Sequence, residues 1–115
     1  MDRYKPTVQM LGRFQPWHKG HRELFKRAHA KTGQVAIMVR LTGEGWFDQP
    51  DVIADLKNHG YEYDKDYIIM HVPNIVNITY GRDVGYDIDQ EHLGEEIESI
   101  SATEIRNNVS KNIVV

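Results

Sequence analysis

Three short apolar runs constrain this chain more than any other feature: Thr7 to Leu11, Gln34 to Arg40 and Tyr67 to Val72. Each reads as a strand bounded by turn residues, and the middle one is apolar enough to be covered on both faces. The stretches between them have helical period. From Gly20 to Lys31, Leu24, Phe25 and Ala28 share one face while Arg22, Glu23, Lys26 and Arg27 point elsewhere, and Gly33 is the expected stop. A second helix is expected to take Asp48 as N-cap and Pro50 in its first turn. It should turn Val52, Ile53 and Leu56 inward and end at Asn58-His59-Gly60. The order strand, helix, strand, helix, strand implies an α/β fold with a mainly parallel sheet flanked by helices. Right-handed crossovers then put the loop after the first strand at the carboxyl edge of the sheet, where open α/β folds bind ligands.

The pattern changes beyond Val72. Ile78-Thr79-Tyr80 has strand character, but Pro73 to Asn77 is too short a link for a parallel crossover, which takes about a dozen residues. The segment is therefore an antiparallel strand or an extended loop. Gly81 to Glu96 reads as loop with at most a turn of helix. A last helix is expected at Ser101-Ala102-Thr103-Glu104, which has capping-box spacing, with Ile105 and Val109 on one face. With 115 residues, one domain spanning residues 1–115 and one modest core are expected. The net charge of −3 offers no basic footprint for nucleic acid. The absence of cysteine excludes disulfides, thiolate metal sites and cysteine nucleophiles. No run approaches membrane-spanning length and Met1 to Pro6 has no apolar signal core, so no membrane partner and a cytoplasmic location are expected.

The first strand runs into Gly12-Arg13-Phe14-Gln15-Pro16-Trp17-His18-Lys19-Gly20-His21. Pro16 biases Gln15 away from helix, so Arg13 to Trp17 should be loop. Gly12 would let a ligand approach the strand end, and Gly20 would do so at the helix start. His18 and His21, one helical turn apart, can face one side and donate hydrogen bonds to an anion. Arg13 adds a planar donor fork suited to phosphate. The N–H groups of a helix start favour the same kind of ligand. Near the end, Ile100-Ser101-Ala102-Thr103-Glu104-Ile105-Arg106 reads as a capped amphipathic helix. That explains Ser101, Glu104 and Ile105 but leaves Thr103 and Arg106, both able to reach an anion at the helix start. Trp17 suits stacking on a base or packing against the sheet.

Together the two segments resemble the signatures of the HxGH nucleotidyltransferase superfamily: GRFQPWHKGH the first and ISATEIR the second, usually written ISSTxIR. The resemblance implies a compact Rossmann-like domain and transfer of a nucleotidyl group from a nucleoside triphosphate to a small phosphorylated acceptor, with Mg²⁺ and release of pyrophosphate. It implies catalytic roles for His18, His21 and Arg106. Ser101, Thr103 and Arg106 would hold the outgoing phosphates. The wider nucleotide-binding set is then Gly12, Arg13, Phe14, Gln15 and Gly20, with Ile100, Ser101 and Thr103. Gly81, Arg82 and Asp83 lie where relatives contact base or ribose; Arg82 would take phosphate and Asp83 a ribose hydroxyl, against an exposed two-glycine turn as the plain alternative. Arg40, ending the second strand, matches an accessory basic residue of relatives or is simply solvated.

GRFQPxH resembles adenylyltransferases, particularly the archaeal type that acts on nicotinamide mononucleotide, whereas small cytidylyltransferases usually open with a GTFD-like segment. ATP is therefore favoured over CTP. Nicotinamide mononucleotide, a sugar phosphate and a phosphopantetheine-like molecule stay open as acceptors. Ala102 departs from the usual second serine, which removes one side-chain phosphate contact, and the chain is short for the family, which fits a small acceptor or a homo-oligomer whose neighbouring subunit completes the site. A nucleotide-binding module without turnover is the non-enzymatic alternative. No metal ligand is assigned in the protein. The His18 and His21 spacing does not fit a HExxH zinc site, and Asp83, Asp87 and Asp89 do not fit a calcium loop.

Overall fold

A computed structural model describes residues 1–43, 46–82, 85 and 87–91. In chain order these form β1 (Val8–Gly12), α1 (Lys19–Thr32), β2 (Val35–Arg40), α2 (Gln49–Asn58) and β3 (Tyr67–Val72). The strands make one sheet in the order β1-β2-β3. Both pairings are parallel, with Val8 opposite Val35 and Val35 opposite Tyr67. Parallel pairing brings the carboxyl ends of the strands, at Gly12, Arg40 and Val72, to a single edge. The loops that lead into α1 and α2 both leave from it. The expected Rossmann-like arrangement, a parallel sheet flanked by helices, is the one observed.

The helices form where their stops and periods say they should. Gly33 closes α1 at φ 85°, and its N–H bonds back to the His29 carbonyl at 2.7 Å; only glycine adopts that left-handed conformation at no steric cost. Asp48 caps α2 by accepting the Asp51 N–H at 3.1 Å, and Pro50 sits in the first turn. Between helices and sheet lies a core of Met10, Phe14, Phe25, Ala28, Val35, Ile37, Val39, Val52, Leu56 and Tyr67. In α1 the buried residues His21, Phe25 and Ala28 follow the i, i+4, i+7 spacing of one helical face. β2 buries Val35, Ile37 and Val39 on this side and only half-buries Ala36, Met38 and Arg40 on the other. The sheet is thus fully covered on one face only, where the apolar run suggested cover on both.

Two expectations shift. The first helix starts at Lys19 rather than Gly20, with His18 as its N-cap. Ile78-Thr79-Tyr80 is exposed and belongs to no strand, so the extended-loop alternative holds. Gly81 and Arg82 follow on an exposed bend. The last expected helix lies outside the described residues.

At the opposite edge of the sheet the last turn of α1 is tied to the approach to β3. His29 Nε2 and Asp66 Oδ1 are 2.9 Å apart, Asp66 Oδ2 accepts the Glu62 N–H at 2.8 Å, and the Asp66 carbonyl accepts the Val35 N–H at 3.0 Å. Burial alone would raise the Asp66 carboxyl, but the Glu62 N–H and the His29 ring together hold it below its usual 3.8. A depressed carboxylate stabilises the fold above its unfolded pKa, and that contribution disappears as pH falls through the folded pKa. Asp66→Asn is expected to cost about 1–3 kcal/mol at pH 7. Urea unfolding of both proteins should show the gap between them closing below the usual carboxylate pKa and unchanged above it.

Candidate functional site

The segment between β1 and α1 is built around a buried aromatic ring. Phe14 takes a positive φ of 51° and is 1% exposed. A Cβ placed on Gly12 would stand 2.7 Å from two carbons of that ring. The absence of a side chain at Gly12 is therefore required by packing within the chain. The Gln15–Pro16 peptide is cis, and Arg13 and Gln15 are buried beside Phe14 in sequence. Thr42, in the loop after β2, donates its hydroxyl to Gln15 Oε1 at 3.2 Å. The loop is thus joined to the neighbouring loop of the same sheet edge.

His18 and His21 do more than share a helix face: they make the helix start. His18 is the N-cap, in extended conformation, and its Nδ1 accepts the Gly20 N–H at 3.0 Å. His21 reaches back, and its Nδ1 accepts the His18 N–H at 3.1 Å. This is a reciprocal capping box in which imidazoles replace the usual hydroxyl and carboxylate. Capping preferences favour Ser, Thr, Asp and Asn, so a histidine cap is invisible to them, which is why sequence placed the start one residue late.

The capping fixes the chemistry of both rings. A backbone N–H only donates, so each Nδ1 offers its lone pair and the ring hydrogen resides on Nε2. The rings stack with centroids 3.8 Å apart at 28°. His21 is 1% exposed, with the Phe14 ring edge-on at 4.9 Å and the Trp17 indole at 5.5 Å. Burial pushes the His18 imidazole below its usual 6.5, and protonating Nδ1 would also destroy the cap. At neutral pH His18 is an uncharged Nε2–H donor. That Nε2 is buried and has no hydrogen-bond partner among the described residues, a deficit of about 1–3 kcal/mol that an anionic oxygen would remove.

A cleft of about 360 Å³ lies between the start of α1 and α2, lined by Trp17, His18, Lys19, Arg22, Asp51, Ala54, Asp55 and Asn58. Trp17 packs on Phe14 and His21 and donates Nε1–H to Asp55 at 2.9 Å, so its packing partners are the loop before α1, α1 itself and α2 rather than the strands. Asp55 and Arg22 are functional candidates that sequence reasoning missed. The available signal was a carboxylate at position 55, directly beside the buried Val52–Leu56 stripe of an amphipathic helix. Arg40 stands at the sheet edge as expected. Its Nη1 donates to the Ile75 carbonyl at 3.2 Å, and its buried Nε has no partner among the described residues.

The structure thus brings Gly12, Arg13, Phe14, Gln15, His18, Gly20 and His21 together. Among the described residues, no hydrogen bond or ion pair links Gly81 or Arg82 to them. Asp83, Ile100, Ser101, Thr103 and Arg106 lie outside the described residues. Mg²⁺ prefers oxygen ligands, commonly water and substrate phosphates with one or two carboxylates. Among the described residues no group of three or more His, Asp or Glu could hold a metal ion, and the histidine pair presents N–H groups. No helix among them is long and apolar enough to cross a membrane.

Residues 10–53 match the sequence model of the cytidylyltransferase-like family. The matched span runs from β1 through the histidine pair into α2, and this match supports assignment to the HxGH nucleotidyltransferase superfamily. No curated protein and no solved structure matched the chain. The family suggests nucleotidyl transfer in general.

The Gly12–Phe14 contact leads to a test of how the loop is held. Gly12→Ala is expected to force the buried ring aside and to cost about 1–3 kcal/mol, read as a lowered denaturant midpoint. Unchanged stability would show that the ring can yield.

Proposed function

We propose that this protein transfers AMP from ATP to a small phosphorylated acceptor and releases pyrophosphate. The observation that carries the reading is the unpaired, buried Nε2–H of His18, in a ring whose tautomer is set by the helix it caps. A fixed neutral donor at a helix N-terminus suits the negative charge that builds on a triphosphate as its α-phosphorus is attacked. On this reading the acceptor's phosphate oxygen forms the new bond to the α-phosphorus, the bond to the β-phosphate oxygen breaks, and pyrophosphate departs. The chain supplies no nucleophile. His18 and His21 stabilise the reacting phosphate region. Ser101, Thr103 and Arg106, by resemblance, hold the departing phosphates; Gly81, Arg82 and Asp83 would serve base and ribose. Catalysis is then positioning plus charge stabilisation.

The experiment is pyrophosphate release measured over the four nucleoside triphosphates with a panel of phosphorylated acceptors. His18→Asn separates the two roles of the residue, because asparagine is a good N-cap but lacks the Nε2 donor. Its melting temperature should stay near that of the parent while turnover falls about 10²–10³-fold. An active His18→Asn protein would remove His18 from the reaction. ATP binding without pyrophosphate from any acceptor would favour a non-catalytic nucleotide-binding module.

A second reading, CTP as donor, is favoured by the description of the matched family. The GRFQPxH opening favours ATP. Thermal denaturation should decide: ATP is expected to raise the melting temperature more than CTP at equal concentration, and the reverse ranking makes the protein a cytidylyltransferase.

A further inference from the structure

Asp55, on α2, brackets the histidine pair in the chain. Its Oδ2 accepts the Nε1–H of Trp17 at 2.9 Å, and Trp17 immediately precedes His18. Its Oδ1 accepts Arg22 Nη1 at 3.0 Å, and Arg22 immediately follows His21. The partners lie 38 and 33 residues away in sequence. Each carboxylate oxygen accepts one of these hydrogen bonds, and His59 Nδ1 lies 3.9 Å from Oδ1. The Asp55 and Arg22 side chains are 26% and 20% exposed, so the ion pair is partly shielded and its hydrogen bond is of the stronger, charge-assisted kind.

Of the two groups that Asp55 holds, the Trp17 indole is in contact with the His21 imidazole. The Trp17 indole lies 5.5 Å from the His21 ring at 37°, and 5.5 Å from Phe14, which itself meets His21 edge-on. His21 in turn stacks on His18 and accepts its N–H. A shift of the indole therefore reaches both rings. Asp55 makes no direct bond to either ring, and nothing in its geometry requires it to touch substrate.

We propose that Asp55 is a positioning residue for nucleotidyl transfer: through Trp17 and Arg22 it holds His18 and His21 in the orientation in which the helix caps set their tautomers. The proposal rests on the reading that this pair acts on the triphosphate. A plain tether between α1 and α2 would lower stability alone. A positioning role also changes the imidazoles and the chemical step.

Two variants of the full chain test this, each removing part of the clamp. Asp55→Asn keeps one acceptor oxygen and turns an amide NH₂ toward a donor. Trp17→Phe removes the Nε1 donor and keeps an aromatic ring, and it carries the test if the first variant does not fold. Long-range ¹H–¹⁵N spectra of the imidazoles, recorded without substrate, should show single Nε2–H tautomers in the parent and averaged tautomers in the variants. kcat should fall about 10–100-fold while the triphosphate KM moves less than about 3-fold. Unchanged imidazole signals in a folded variant overturn the proposal, whatever the rate does, and so does an unchanged kcat where the parent is active. If the imidazole signals respond but the parent protein itself releases no pyrophosphate with any acceptor, nucleotidyl transfer fails as a reading and the clamp on the histidines stands.

Discussion

An α-helix begins with N–H groups that have no partner inside the helix, and here two imidazoles meet that need at the start of α1. His18 accepts the Gly20 N–H, and His21 accepts the N–H of His18. The rest of the site depends on this exchange. It sets where the helix begins, brings the rings into a stack, and assigns a hydrogen to each Nε2. Phe14 and Trp17 surround the buried member of the pair. Gly12 lacks a side chain where the Phe14 ring must lie. Packing that looks like ordinary core construction thus also orients the pair.

The parallel sheet gives this arrangement its location. Because β1, β2 and β3 run the same way, the loop carrying the histidines and the loop leading to α2 leave from one edge. The Thr42 bond to Gln15 joins those two loops, and Asp55 joins α2 to the segment around the pair. At the far edge the His29–Asp66 contact closes the sheet without approaching the histidine pair. The stabilising and the candidate chemical ends of the domain are therefore separated along the strands.

What could be read in the sequence was what is encoded locally. Strand length, helical period, the Gly33 stop and the Asp48 cap each need only a short window of residues, and each has its counterpart in the structure. The two histidines were legible as a pair for the same reason. Their role as caps was not, since capping rules rank oxygen-bearing side chains and pass over imidazole. The packing demand on Gly12 was not legible, because the Phe14 ring beside it depends on an uncommon positive φ, which no local preference of phenylalanine announces. Asp55 was passed over because its partners lie more than thirty residues away, and a solvated helical aspartate has the same appearance in a sequence.

The capping exchange also limits what chemistry the pair can perform. A general base needs a free lone pair on the nitrogen that faces the reacting group. In both rings the Nδ1 lone pair is engaged by backbone N–H, so a ring held in this way presents Nε2–H and can only donate. Converting either ring into a base at Nε2 requires moving its hydrogen to Nδ1, which breaks a cap and loosens the first turn of α1. Such a pair suits reactions in which negative charge accumulates and no proton need be removed by the protein. Attack of a phosphate oxygen on an α-phosphorus is a reaction of that kind, because the nucleophile is already an anion. The proposed transfer to a phosphorylated acceptor, rather than to an alcohol that must first be deprotonated, is the version that this helix start can serve without undoing itself.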